Sequence, residues 1–211
     1  MKWLVLITTV LIIYAEALAP IQAVHLRYDP YMEQVYKDHC TINTNLVELQ
    51  YYDEIRTRSE VFHLIQPVLE IYLRKYKENF ALGDSLSYAL SCIFVSESSN
   101  GRGHSARSTL WLEYNNPFGL TTNRHSNAVT KMSWEMIRGR RMNMYRTFRT
   151  YRSLKEAVDS LMWDYLLKSR YERQKTATTV KGFLYNLYKS GYMTNRYWPR
   201  FAYNEIYLKA I

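Results

Sequence analysis

Apolar residues recur at helical spacing through most of this chain and at strand spacing in one short stretch. Residues 43–78 are helical in character. Within them Val61, Leu64, Ile65, Val68, Leu69 and Tyr72 share one face, and Pro67 predicts a kink or a split there. Gly83-Asp84-Ser85 offers a start for the next helix, with Asp84 or Ser85 as N-cap. Leu86, Ala89, Leu90, Ile93 and Phe94 follow as an amphipathic stripe. Residues 99–127, with Gly101, Gly103, Asn115-Asn116, Pro117 and Gly119, read as a long functional loop. Residues 129–137 and 141–149 then read as two strands joined around Arg138-Gly139-Arg140. A capping box, Ser153-Leu154-Lys155-Glu156, opens a helix whose stripe is Leu154, Ala157, Val158, Leu161, Met162, Tyr165 and Leu166. A further helix starts at Thr178 or Thr179 and stops at Ser190-Gly191. The last begins near Pro199.

One acidic residue sits where this pattern changes. Glu97 follows Leu86 by eleven residues, an offset that returns to the same helical face at about 100° per residue. The carboxyl therefore extends the buried stripe in the helix's last turn. Partial burial and the negative end of the helix dipole both disfavour its charged form. A raised pKa is what a general acid near neutral pH needs. On spacing alone, a frayed surface glutamate stands as the alternative. Glu135 is the one acid between Glu113 and Glu156, set among Lys131, Arg138, Arg140, Arg141, Arg146 and Arg149. On the residues alone, a surface salt bridge is the favoured account of it.

Composition narrows the setting. The chain has 211 residues, 47% of them apolar and 22% charged, enough for one globular domain with a real core. Met1-Lys2, an apolar run from Trp3 and the small residues Ala15-Glu16-Ala17 and Ala17-Leu18-Ala19 describe a secretory signal over residues 1–19, cut after Ala17 or Ala19. Residues 20–42 read as an arm and 43–211 as the main domain. The run is too short for a comfortable membrane span, and no other segment resembles one. The formal charge of +9 suits an anionic surface such as a bacterial wall. Export and the lack of any nucleic-acid motif argue against DNA or RNA. The twenty tyrosines suit either packing with a wet hydroxyl tip or a sugar cleft. Export permits a Cys40–Cys92 disulfide, while Cys92 within an apolar pattern suits a buried free thiol equally. The five histidines show no ligand spacing, so neither a metal nor a cofactor is expected.

Several segments together resemble the glucosaminidase domains of glycoside hydrolase family 73, bacterial enzymes that cut peptidoglycan glycan chains. The resemblance lies in Glu97-Ser98, Asn115-Asn116-Pro117-Phe118-Gly119-Leu120, Ser133-Trp134-Glu135 with Gly139, Phe148-Arg149-Thr150-Tyr151-Arg152-Ser153-Leu154, and Gly191-Tyr192-Met193-Thr194, in order across residues 80–210. It departs from the family pattern in a longer loop after Glu97, in Ser99-Asn100 where the family has Gly-Trp, and in Ser133 for threonine.

The resemblance implies an α+β, mostly α fold: a lysozyme-like helical lobe with a small β-hairpin lobe across a cleft. It implies Glu97 as general acid, Glu135 as a second carboxylate aiding water attack, and Tyr192 beside the scissile sugar. Ser98, Asn115, Asn116 and Phe118 would help bind the substrate. The implied protein is an exported monomer acting on peptidoglycan strands at the bond between N-acetylglucosamine and N-acetylmuramic acid. A lytic transglycosylase or muramidase of similar fold, and a wall-binding protein without catalysis, are the alternatives.

Overall fold

The computed structural model describes residues 30–51, 57–99, 106–123 and 126–211. The expected signal segment lies outside the described residues. Helix α1 (Pro30–Tyr51) runs straight through the boundary expected between residues 42 and 43. From Asp38 onward the chain forms one unit. Leu49 enters its core, Ile42 and Leu46 pack against it, and the Asn45 amide donates to the Leu64 carbonyl at 2.7 Å.

Helix α2 (Arg58–Leu73) opens on a complete capping box. The Glu60 N–H donates to Thr57 Oγ1 at 3.2 Å, and the Thr57 N–H donates to Glu60 Oε2 at 2.6 Å. The split expected at Pro67 does not occur, and α2 is continuous across it. Val61, Phe62 and Ile65 before the proline and Val68, Leu69 and Leu73 after it are all buried. Packing on both sides outweighs the one lost bond, whose acceptor, His63, is an exposed residue free to meet water.

Helix α3 (Leu86–Glu97) is the centre of the molecule. Its predicted stripe is buried, but so are Ser87, Ser91, Cys92 and Val95, so it is enclosed on nearly every side rather than amphipathic. The serines are tolerated because their hydroxyls bond within the helix and to its neighbour. Ser91 donates to the Ser87 carbonyl at 2.8 Å, and Gln66 donates to the Ser87 hydroxyl at 3.0 Å. Ser85 takes the expected N-cap position but makes no side-chain capping bond: a 3-10 turn over Gly83–Ser85 feeds the helix directly, and Asp84 pairs with Lys77. Cys92 is buried in α3 and Cys40 is exposed on α1; no disulfide joins them.

A short helix, α4 (Thr109–Leu112), interrupts the expected loop, capped by Ser108. The strands β1 (Ala128–Ile137) and β2 (Arg140–Arg149) pair antiparallel with Ile137 opposite Arg140 and Glu135 opposite Met142. Arg138 and Gly139, at φ 50° and 78°, form the two-residue turn. Positive φ at both positions matches the twist of the flanking strands.

The hairpin's far end is anchored by buried Phe148. Helix α5 (Leu154–Leu161) widens into a π turn at Met162–Leu166. Its predicted capping box forms only in part: Ser153 accepts from the Glu156 N–H, but Glu156 reaches the Arg152 N–H instead of its partner's. There follow α6 (Glu172–Lys175), α7 (Val180–Lys189), α8 (Trp198–Phe201), a π turn at Ala202–Tyr207 and α9 (Leu208–Ala210). The described residues form a mostly helical fold with one two-stranded sheet. No helix among the described residues is long and apolar enough to cross a membrane.

Candidate active site

Because α3 is buried along its length, its last residue is delivered to a fixed place. The Glu97 carboxyl is partly reachable by water yet enclosed by protein on most sides, and its pKa is pushed up from 4.5 to about 7. Burial is the largest cause and the negative charge of Glu135 the next. The Ser96 hydroxyl and the Trp198 indole N–H act in the opposite direction. The indole also donates to Ser96 Oγ at 3.2 Å, tying α8 to the end of α3.

Gly119 fits tightly against this carboxyl. A Cβ at position 119 would lie 3.3 Å from Glu97 Oε2, and the residue's φ of +63° already favours glycine. The loop bearing it is held by Asn116. That side chain donates to the Leu120 and Arg149 carbonyls, each at 2.9 Å, and accepts from the Leu120 N–H at 2.9 Å. Phe118 packs edge-on against Phe94 of α3 at 6.3 Å between centroids. Ser98 accepts through its carbonyl from the Arg107 and Ser108 N–H groups at 2.9 and 2.7 Å, fastening the start of the next loop segment.

Ser98, Asn116 and Phe118, expected to help bind substrate, have buried side chains that brace the surroundings of Glu97. Asn116 has its amide committed to backbone groups, and Phe118 has joined the core. Asn115 is partly exposed at φ 49° and donates to the Tyr151 carbonyl at 3.1 Å, which fixes the turn.

The structure brings Tyr192 and Glu135 to the same place. Gly191 ends α7 at φ +79°, where a Cβ would collide with the Arg170 guanidinium at 2.5 Å. Tyr192 then turns inward, and its hydroxyl donates to the Phe118 carbonyl at 2.8 Å. Burial, then the nearby Glu97 charge, hold its pKa well above the ordinary value of 10, so it stays a neutral phenol. Two residues on, the Thr194 hydroxyl donates to Glu135 Oε2 at 2.8 Å and accepts from the Met136 N–H at 3.4 Å. Arg146 lies 3.4 Å from Glu135 Oε1. The second carboxylate is therefore held by its own hairpin and by the segment that carries Tyr192.

Thr194, Gly119, Ser96 and Trp198 were not singled out by sequence reasoning as parts of the site. Thr194 and Gly119 lay within recognised motifs. Trp198 carried no signal, since its partner Ser96 is 102 residues away.

A carboxylic acid of raised pKa that feels the charge of a second carboxylate and lies near a neutral phenol can protonate a leaving oxygen and assist attack by water. The family model described as mannosyl-glycoprotein endo-beta-N-acetylglucosaminidase matches residues 74–206, well over half the chain. No curated protein matches. Among solved structures, the catalytic domain of the autolysin Auto from Listeria monocytogenes is 20% identical, with a TM-score of 0.50, over 84% of this chain and 93% of that one. A Staphylococcus aureus structure titled N-acetylmuramoyl-L-alanine amidase is 18% identical, with a TM-score of 0.53, over 78% of this chain and 45% of its own. These likenesses bear on the fold, a lysozyme-like helical body with its hairpin. The family match lies over every residue placed around Glu97, and the chain belongs to the glucosaminidase family of glycoside hydrolases.

Proposed function

We propose that this protein is an exported peptidoglycan hydrolase that cuts the β-1,4 bond between N-acetylglucosamine and N-acetylmuramic acid, leaving N-acetylglucosamine at the new reducing end. The observation that carries the reading is the Glu97 carboxyl, largely enclosed at the end of a buried helix with a pKa near 7 and Glu135 close by. At neutral pH a large fraction of Glu97 holds its proton. It donates that proton to the glycosidic oxygen as oxocarbenium character develops, and the resulting carboxylate stabilises the positive sugar. Water attacks the anomeric carbon, its proton taken by Glu135 or its approach assisted by the substrate's own acetamido group. Thr194 and Arg146 hold the Glu135 carboxylate in place. Tyr192, fixed by the Phe118 carbonyl, offers a neutral aromatic surface and oxygen lone pairs to the sugar at the cut.

The basic charge and the signal-like N-terminus support a place of action at the cell wall. The solved structures similar in fold include an autolysin catalytic domain, which fits the same role. The test is digestion of purified peptidoglycan, borohydride reduction and mass spectrometry of the fragments. Reduced N-acetylglucosamine at the new ends is expected. Reduced muramic acid would instead identify a muramidase, and 1,6-anhydromuramic ends a lytic transglycosylase; either overturns the assignment.

A further inference from the structure

A concavity lies apart from Glu97. It is a groove of about 540 Å³ lined by Thr179, by Lys181, Gly182 and Tyr185 of α7, and by Pro199, Arg200, Tyr203 and Asn204. That volume lies within the roughly 300–1,000 Å³ of small-ligand sites. None of its lining residues touches Glu97, Glu135 or Tyr192 through the contacts described above. Trp198 points toward Ser96 and Glu97, whereas Arg200, two residues later, is turned about 200° around the helix axis.

The chemistry of the lining is specific. Tyr185 and Tyr203 supply aromatic surface, and Tyr185 leaves half its area open to water. Lys181 Nζ lies over the Tyr203 ring at 5.5 Å and Lys189 Nζ over the Tyr185 ring at 5.2 Å; Tyr203 is also stacked on Tyr207 at 5.5 Å between centroids, so half-exposed Tyr185 is the ring with area left for a ligand. Neither Lys181 nor Arg200 has an ion-pair partner among the described residues. No acid lines the groove, and the adjacent Glu205 is taken up by Lys209 at 2.6 Å. At Gly182 a Cβ would press on Thr179 Oγ1 at 3.1 Å, the hydroxyl that caps α7 by accepting from the Gly182 N–H. Aromatic faces, unpaired cations and one amide together fit a sugar ring carrying a carboxylate. The C–H face of the ring stacks on Tyr185, and the carboxylate meets Lys181 and Arg200.

We infer that this groove is a second binding site for peptidoglycan, holding an amino sugar through Tyr185 and a stem-peptide carboxylate through Lys181 and Arg200. It anchors the enzyme to the wall while a different stretch of strand reaches Glu97. The inference rests on the peptidoglycan reading above, and the experiment separates the two.

Binding is measured by co-sedimentation with purified sacculi in a Glu97→Gln background, so that no strand is cut. Adding Lys181→Ala, Tyr185→Ala and Arg200→Ala, all at exposed positions, should weaken binding about tenfold and flatten its salt dependence. Binding equal to that of the parent would overturn the inference. Amide shifts on adding a soluble disaccharide-peptide give an independent readout in the unsubstituted groove. Perturbation at Gly182, Tyr185 and Asn204 is expected, whereas perturbation confined to the surroundings of Glu97 and Gly119 would overturn it. Equal shifts with a neutral N-acetylglucosamine tetramer would overturn the acidic part of the assignment. If the wild type cuts no peptidoglycan yet the groove substitutions still abolish binding, the hydrolase reading fails and the groove stands. If the wild type cuts and the substitutions leave binding intact, the groove fails and the hydrolase reading stands.

Discussion

Gly119→Ala is the sharpest structural test of the site, because two separate effects act on one methyl group. The first is conformational. At φ +63° an alanine sits in the left-handed region, which costs about 1–2 kcal/mol. In a domain of this size that lowers Tm by about 2–8 °C. The second is steric. The new Cβ would lie 3.3 Å from Glu97 Oε2, so the carboxyl must retreat by a few tenths of an ångström. The end of a glutamate side chain is able to do so, and the backbone of buried α3 is not. A displacement of about 1 Å costs about 100-fold in rate, so a shift of a few tenths is expected to lower kcat about 3- to 10-fold. The methyl also removes water from the carboxyl, which raises its pKa further. The assay pairs a thermal melt with turnover of peptidoglycan across pH. Lower Tm, lower kcat and an activity profile moved to higher pH are expected together. A variant with lower Tm but unchanged kcat and profile would refute the reasoning, because Glu97 would then be a neighbour of Gly119 with no part in the chemistry.

Other predictions follow from the same geometry. Glu97 has a native pKa of about 7 against 4.5 in the unfolded chain, so the native state binds the proton more tightly. Its contribution to stability is therefore present below about pH 4.5 and lost as pH rises through about 7; the loss is at most about 3 kcal/mol. Glu97→Gln should accordingly melt higher than wild type at pH 8, flatten that part of the stability profile and abolish digestion; an equal or lower melting temperature at pH 8 would count against burial of the charge. Glu135→Gln removes the second cause of the raised pKa. The alkaline limb of residual activity should move toward lower pH, and an unmoved limb would deny that the two carboxyls interact. Thr194→Val deletes the bonds to Glu135 and Met136. It should cost about 0.5–1.5 kcal/mol of stability and lower kcat several-fold while Glu97's pKa stays near 7; full activity would remove Thr194 from the support of Glu135.

What the sequence made legible was set by near-neighbour periodicity. The α3 stripe carried Glu97 to a helix end, and the hairpin was placed to within one residue because Arg138-Gly139 punctuates two runs of strand-forming residues. The bracing contacts of Asn116 and Phe118 were not legible, because they are made with Leu120, Arg149 and Phe94 across the tertiary fold. The continuity of α2 through Pro67 depended likewise on packing from both flanks. The links from Thr194 to Glu135 and from Trp198 to Ser96 span 59 and 102 residues, and no local pattern encodes them.

The most direct measurement is a carbon-13 titration of the Glu97 side-chain carboxyl by NMR, its resonance assigned by disappearance in Glu97→Gln. A midpoint near pH 7 is expected, as a proton donor at a largely enclosed helix end requires. A midpoint of about 4–5, the ordinary range of a solvated glutamate, would contradict the account.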